Sequence, residues 1–310
     1  MSVVLVEDDL LSVFGDTAIV RGLLATDADV DEEENEQVDS ADDSADAARY
    51  AFFAAVRDVD TTLFERRQRE KRAELRREAR AWRAFPTDVD AVVSFRSDRF
   101  RLLEKPLLGT LSRMFEQWRD SGAVPVQLAP ALPFLTVVVD GAALLQSLSG
   151  RVVELLRGGD HVAALRLLGV DGVMSLLSLR ITAGTARGVL PPGLRQLWRA
   201  FNESHAGTRL TVGARALTKH FARSSERFWG ASIDGPAGDK NVNACRILCN
   251  LIDDLQWMNV HALPHDTFVF EIRNSLSYGA RWHLDALGKA TFRGFLEPVM
   301  QDGHENGWLH

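Results

Sequence analysis

The stretch Asn259–Glu297, NVHALPHDTFVFEIRNSLSYGARWHLDALGKATFRGFLE, decides how the chain is read. Apolar alternation, turn residues and chemically useful side chains coincide there. In the first run Phe268, Phe270 and Ile272 point one way, and Val269, Glu271 and Arg273 the other, as an extended backbone requires. The segment from Asn274 to Ser277 supplies a turn. The second run puts Tyr278, Ala280 and Trp282 on one face, with Gly279, Arg281 and His283 opposite. The segment from Asp285 to Lys289 is the next turn, where Gly288 is free to take a positive φ. In the third run Phe292, Gly294 and Leu296 alternate with Arg293, Phe295 and Glu297. The pattern predicts a three-stranded antiparallel meander whose apolar face packs on helices. Its charged face is expected to carry Arg273, Arg281 and Arg293 beside Glu271, Glu297 and His283. Cross-strand charge pairs contribute only about 0.2–1 kcal/mol each, so such a face is not required for stability.

Working outward, the segments before the meander read as helices. Leu107–Asp120 is amphipathic through Leu107, Leu111, Met114, Phe115 and Trp118. Ala142–Leu156, His161–Leu168 and Gly172–Leu179 follow, with Gly158, Gly159 and Gly169 as breaks and Asp160 as a cap. After Pro191 and Pro192, helices are expected at Gly193–Ser204 and Leu210–Trp229. A strong helix from Asp239 or Asn241 is expected to end near Trp257. The predicted fold class is α+β and mostly helical: a helical body, then a C-terminal part with the meander packed on helices. The expected organisation is an N-terminal arm and acidic disordered linker (1–47), a helical region (48–190) and an α+β C-terminal domain (191–310). The linker rests on eleven acids with no basic residue between Asp27 and Asp46, a block that cannot bury a core. Ala45–Phe85 is expected to be helical, and its second half is a basic, solvated helix.

A chain of 310 residues with a 46% hydrophobic fraction has room for two domains and a sizeable core. The net charge of −7 argues against nucleic acid or a membrane surface as partner. No basic leader precedes the first apolar residues, and no run approaches the ~20 apolar residues of a membrane span. A cytoplasmic protein is the expectation, with the nucleus as the alternative. Cys245 and Cys249 lie four apart on a helix, and read as buried thiols.

Seven of the eight histidines and four of the seven tryptophans follow residue 204, which places the chemistry in that part. His261 and His265 have the spacing of zinc ligands on a helix, but Pro264 between them breaks that helix. Loop ligation with His304 and Glu305 is the remaining route, and neither metal nor cofactor is expected. No Gly-x-Ser-x-Gly elbow or phosphate-binding loop occurs. The favoured reading is an interaction or ligand-recognition protein. Arg273, Arg281, Arg293, His283 and Trp308 would hold a small anionic ligand or an acidic protein segment through charge-assisted bonds. The alternative is a hydrolase working through His265 or His304 with Glu271 or Glu305 as acid and base, with or without a metal.

Overall fold

A computed structural model describes residues 3–15, 17–18, 20–21, 23–24, 107–128, 132, 136–221, 228–230, 235–263 and 267–298. The acidic segment, the basic helix, His265, His304, Glu305 and Trp308 lie outside the described residues. Seven helices are named among the described residues: α1 (Glu7–Phe14), α2 (Leu107–Ser121), α3 (Gly141–Arg157), α4 (His161–Leu176), α5 (Leu194–Asn202), α6 (Val212–His220) and α7 (Ala237–Asp253). They precede a four-stranded antiparallel sheet in the order β1-β2-β3-β4. Its strands are β1 (Leu255–Leu263), β2 (Thr267–Asn274), β3 (Gly279–Leu284) and β4 (Ala290–Leu296). The fold is α+β and mostly helical, with the meander packed on helices.

The helix starts follow local chemistry. The Asp140 side chain accepts from Ala143 N at the start of α3, and Asp160 accepts from Ala163 N at the start of α4. Gly169 leaves helical geometry at φ 61°, so α4 is two helical pieces joined at a kink. On α5, Leu194, Leu197, Trp198 and Phe201 fall at spacings of three and four and form one buried stripe. That stripe lies on the sheet: the rings of Phe201 and Phe292 meet edge to face at 4.8 Å, and Trp282 Nε1 donates to Leu197 O at 3.1 Å. Each such aromatic pair adds about 0.5–1.5 kcal/mol beyond its burial. The hydrophobic core runs from Leu10 and Phe14 of α1 through α2–α7 to Phe295 of β4.

Three expectations need correction. The helix expected to reach Trp257 stops at Asp253, and the residues after it form a fourth strand instead. In that strand Trp257, Asn259 and His261 alternate with Met258 and Val260, a period-two pattern that the helical reading of the preceding segment masks. The helix expected from Leu210 begins at Val212 and ends at His220.

The third correction concerns β4. Arg281 pairs with Gly294 but Trp282 pairs with Phe292, so Arg293 is an extra residue, a β-bulge. Gly294 sits at φ 148°, a conformation suited to glycine. The bulge turns Phe295 and Glu297 to the helix side instead of the charged face. Phe295 is buried against Trp229, with ring centroids 4.9 Å apart.

The outer edge of β1 is covered by the segment between α4 and α5. Arg180 N donates to Met258 O at 2.7 Å, Ala186 N to Val260 O at 2.8 Å, and Ala262 N to Gly184 O at 2.9 Å. These bonds satisfy an edge that would otherwise expose a row of backbone groups. Asn259, fully buried, ties the same segment down: its Oδ1 accepts from Thr185 Oγ1 at 3.0 Å and its Nδ2 donates to Thr182 Oγ1 at 3.1 Å.

Candidate active site

Strand pairing turns the sheet face away from α5–α7 into a grid. One row across the strands is His261, Val269, His283 and Thr291. The next is Asn259, Glu271, Arg281 and Gly294, and the third is Trp257, Arg273, Gly279 and Leu296. Adjacent strands lie about 4.8 Å apart, so His261 and His283 flank Val269 on either side at roughly twice that spacing.

Glu271 is at the centre. Arg273 Nε donates to Glu271 Oε1 at 2.5 Å, and the other carboxylate oxygen faces His261 Nε2 at 4.0 Å. Arg273 is nearly buried and is held at its far end as well, where Nη1 donates to Ser277 O at 2.6 Å and to Glu297 O at 2.9 Å. The Glu271 carboxylate is therefore fixed by a guanidinium that is itself fixed by backbone. Burial lowers the His261 pKa below its ordinary value; Glu271 pulls it back in part and Arg273 lowers it further. The neutral imidazole is favoured, the form able to accept a proton.

Arg281, beside Glu271, is different. Its side chain makes no hydrogen bond or ion pair among the described residues, and its Nε is buried without a partner. Burial lowers its pKa first, the charge of Arg293 next, and Glu271 opposes both. A half-buried guanidinium whose Nε has no partner among the described residues is costly to the free protein and is suited to receive an anion through its planar fork of donors.

On the other side of the sheet, Glu297 accepts from Trp229 Nε1 at 2.7 Å and lies 3.1 Å from His220 Nδ1, all three buried. This cluster joins the end of β4 to α6. Through the backbone oxygen of Glu297 it also supports Arg273. Cys245 donates to Asn202 Oδ1 at 3.2 Å, and burial pushes its thiol up to about 12, which leaves it unreactive as a nucleophile.

The sequence-predicted residues fare unevenly. Arg273, Arg281, Glu271 and His283 share the grid, and Arg293 is close enough to Arg281 to affect its ionisation. Glu297 does not share it. His265, His304, Glu305 and Trp308 are outside the described residues. So is every ligand but His261 of the loop metal site; among the described residues no group of three or more His, Cys, Asp or Glu is arranged to hold a metal. Sequence reasoning missed His261 as a partner of Glu271, because it was weighed only as a metal ligand. The alternation of Trp257, Asn259 and His261 was the available signal.

Residues 201–297 match a family model described as the CdiA C-terminal tRNase toxin domain. No curated protein and no solved structure matches the chain. The matched segment runs from the end of α5 to Glu297 and contains all four strands. The match overturns the expected role as a ligand-recognition or protein-binding module, and it overturns the exclusion of nucleic acid as a partner. The exclusion failed because whole-chain charge was the wrong measure. Within 201–297 eleven Lys and Arg stand against ten Asp and Glu, and the acidic excess lies elsewhere, much of it in Asp27–Asp46. The match leaves the segments before residue 201 uncovered. Among the described residues no helix is long and apolar enough to cross a membrane.

Proposed function

We propose that the chain is a ribonuclease acting on tRNA, and that the His261–Glu271–Arg281–His283 face of the sheet is its active site. The observation that carries this is the union, on one face of the matched segment, of an imidazole favoured in its neutral form, a fixed carboxylate and a guanidinium without a partner among the described residues. With His283 as the proton donor, those groups suit RNA cleavage by its own 2′-hydroxyl. His261 removes the proton from the 2′-hydroxyl as that oxygen attacks the neighbouring phosphorus. Glu271 faces the same imidazole and stabilises the charge it gains. Arg281 donates to the non-bridging oxygens as negative charge builds on the phosphorane. His283, on the far side of Val269, delivers a proton to the departing 5′-oxygen. The P–O5′ bond breaks as the O2′–P bond forms, leaving a 2′,3′-cyclic phosphate and a 5′-hydroxyl.

The test is incubation of total tRNA with the full chain and with Arg281→Ala and His261→Ala. Cleavage by the wild type is expected, reduced about 100- to 1000-fold without the Arg281 guanidinium and about 100- to 10,000-fold without His261. Intact tRNA after incubation with folded wild-type protein would contradict the reading. So would undiminished cleavage by both variants.

A further inference from the structure

We infer that Arg293, lifted out of register by the β4 bulge, forms a second phosphate subsite beside Arg281, so that the face takes a polynucleotide with two consecutive phosphates rather than a mononucleotide. This deepens the ribonuclease reading and rests on it. The bulge places one residue between the partners of Arg281 and Trp282, and that residue is Arg293. Bulges re-aim single side chains, and are common next to active sites. Arg293 is exposed, and its side chain has no hydrogen bond or ion pair among the described residues.

Glu271, the cross-strand neighbour of Arg281, is engaged elsewhere. One oxygen of Glu271 is taken by Arg273, and the other faces His261. Among the described residues no carboxylate is hydrogen-bonded to Arg281 or Arg293; Glu271 favours the charged form of Arg281, and the neighbouring charge of Arg293 opposes it more than Arg273 does. Two like charges held close repel until an anion enters between or above them. A single phosphate satisfies the half-buried Arg281. The exposed Arg293 is then left for the phosphate of the adjoining nucleotide, which the continuous backbone of RNA supplies. Recognition of this kind reads no base. It sets the minimum length of substrate and positions the strand across the sheet.

The test uses the full chain with fluorescent 2′-O-methyl oligoribonucleotides, which bind without being cleaved: a dimer with one internucleotide phosphate and a trimer with two. The wild type is expected to bind the trimer about tenfold more tightly, the worth of one charge-assisted contact. Arg293→Gln should abolish that difference while leaving dimer affinity unchanged. It should also make the slope of log affinity against log salt for the trimer shallower by about 0.7. Equal binding of dimer and trimer by the wild type, or a trimer preference that survives Arg293→Gln, overturns the subsite and leaves the ribonuclease reading standing. Failure of the wild type to bind either oligonucleotide overturns both.

Discussion

Glu271 and Arg273 are two residues apart on β2, so their side chains rise from the same face, and the guanidinium Nε meets the carboxylate at 2.5 Å. Both are largely buried, and Arg273 is anchored at its other end by the carbonyls of Ser277 and Glu297. Its reach makes Arg273 a positioning residue for the carboxylate that faces His261. Arg273→Met removes the partner of a buried carboxylate, and unfolding measurements should show a loss of about 3–5 kcal/mol. Where the variant stays folded, kcat on tRNA should fall roughly a hundredfold with little change in KM, since displacement of a catalytic group by about 1 Å has that effect. Arg273→Lys keeps the charge but loses the fork, and should recover only part of the rate.

The depressed pKa of His261 has a defined sign. Its folded value lies below the ordinary 6.5, so the folded state binds fewer protons than the unfolded one as pH falls below that point. The stability associated with the neutral ring is full above pH 6.5 and is lost as pH falls through the folded value. Activity follows the same direction, because the protonated ring cannot accept the 2′-hydroxyl proton. Rate profiles between pH 4 and 8 should show an acid limb with its midpoint below 6.5. In His261→Gln that limb should vanish from the residual rate, and the corresponding stretch of the stability curve should flatten.

On the helix side, Glu297 receives Trp229 and neighbours His220, which holds the end of β4 to α6. Glu297→Ala leaves a buried indole N–H without its acceptor, and urea unfolding should report a loss of about 2–3 kcal/mol. Glu297→Gln retains an acceptor for Trp229 and should cost less. Neither variant removes a group from the sheet face, so a folded Glu297→Gln protein should keep most of its rate.

Close packing of α6 on α5 gives a prediction independent of the chemistry. A Cβ built on Gly213 would run into the ring of Phe201, which is itself locked between Phe292 and Phe295. Gly213→Ala should therefore destabilise the protein by about 1–3 kcal/mol, the cost of forcing extra volume into a full core. Thermal unfolding checks this. Gly150, on α3, has open space around the same atom, and Gly150→Ala should be neutral or slightly stabilising.

The sheet was legible where alternation was unbroken. On β2 and β3 the residues that point to the helices, Phe270, Ile272, Ala280 and Trp282, are all fully buried, as the period-two pattern implies. It failed at β4, because the bulge shifts the alternation by one residue: Phe292 and Phe295 stand three apart yet both meet Phe201, and strict period two puts Phe295 on the charged face. Beta1 was hidden because the apolar pattern of α7 runs into it after a single turn at Asp254. The geometry of the candidate site was legible in part, since Arg273, Arg281 and Glu271 fall on strand positions of the face away from α5–α7, with Arg293 beside them at the bulge. What sequence could not supply was the difference between them. Arg273 is spent on Glu271 and on backbone carbonyls, while Arg281 has no hydrogen bond or ion pair among the described residues, and that distinction arises from the loop after β2 and the end of β4 meeting in space.

The most direct measurement is end-group analysis of the tRNA fragments. Attack by the substrate's own 2′-hydroxyl predicts fragments ending in a 2′,3′-cyclic phosphate or the 3′-phosphate derived from it, with 5′-hydroxyls on the downstream pieces. It also predicts that a single 2′-O-methyl group at the cleaved nucleotide blocks cutting there. Fragments carrying 5′-phosphates and 3′-hydroxyls, or undiminished cutting at the methylated nucleotide, would contradict the account.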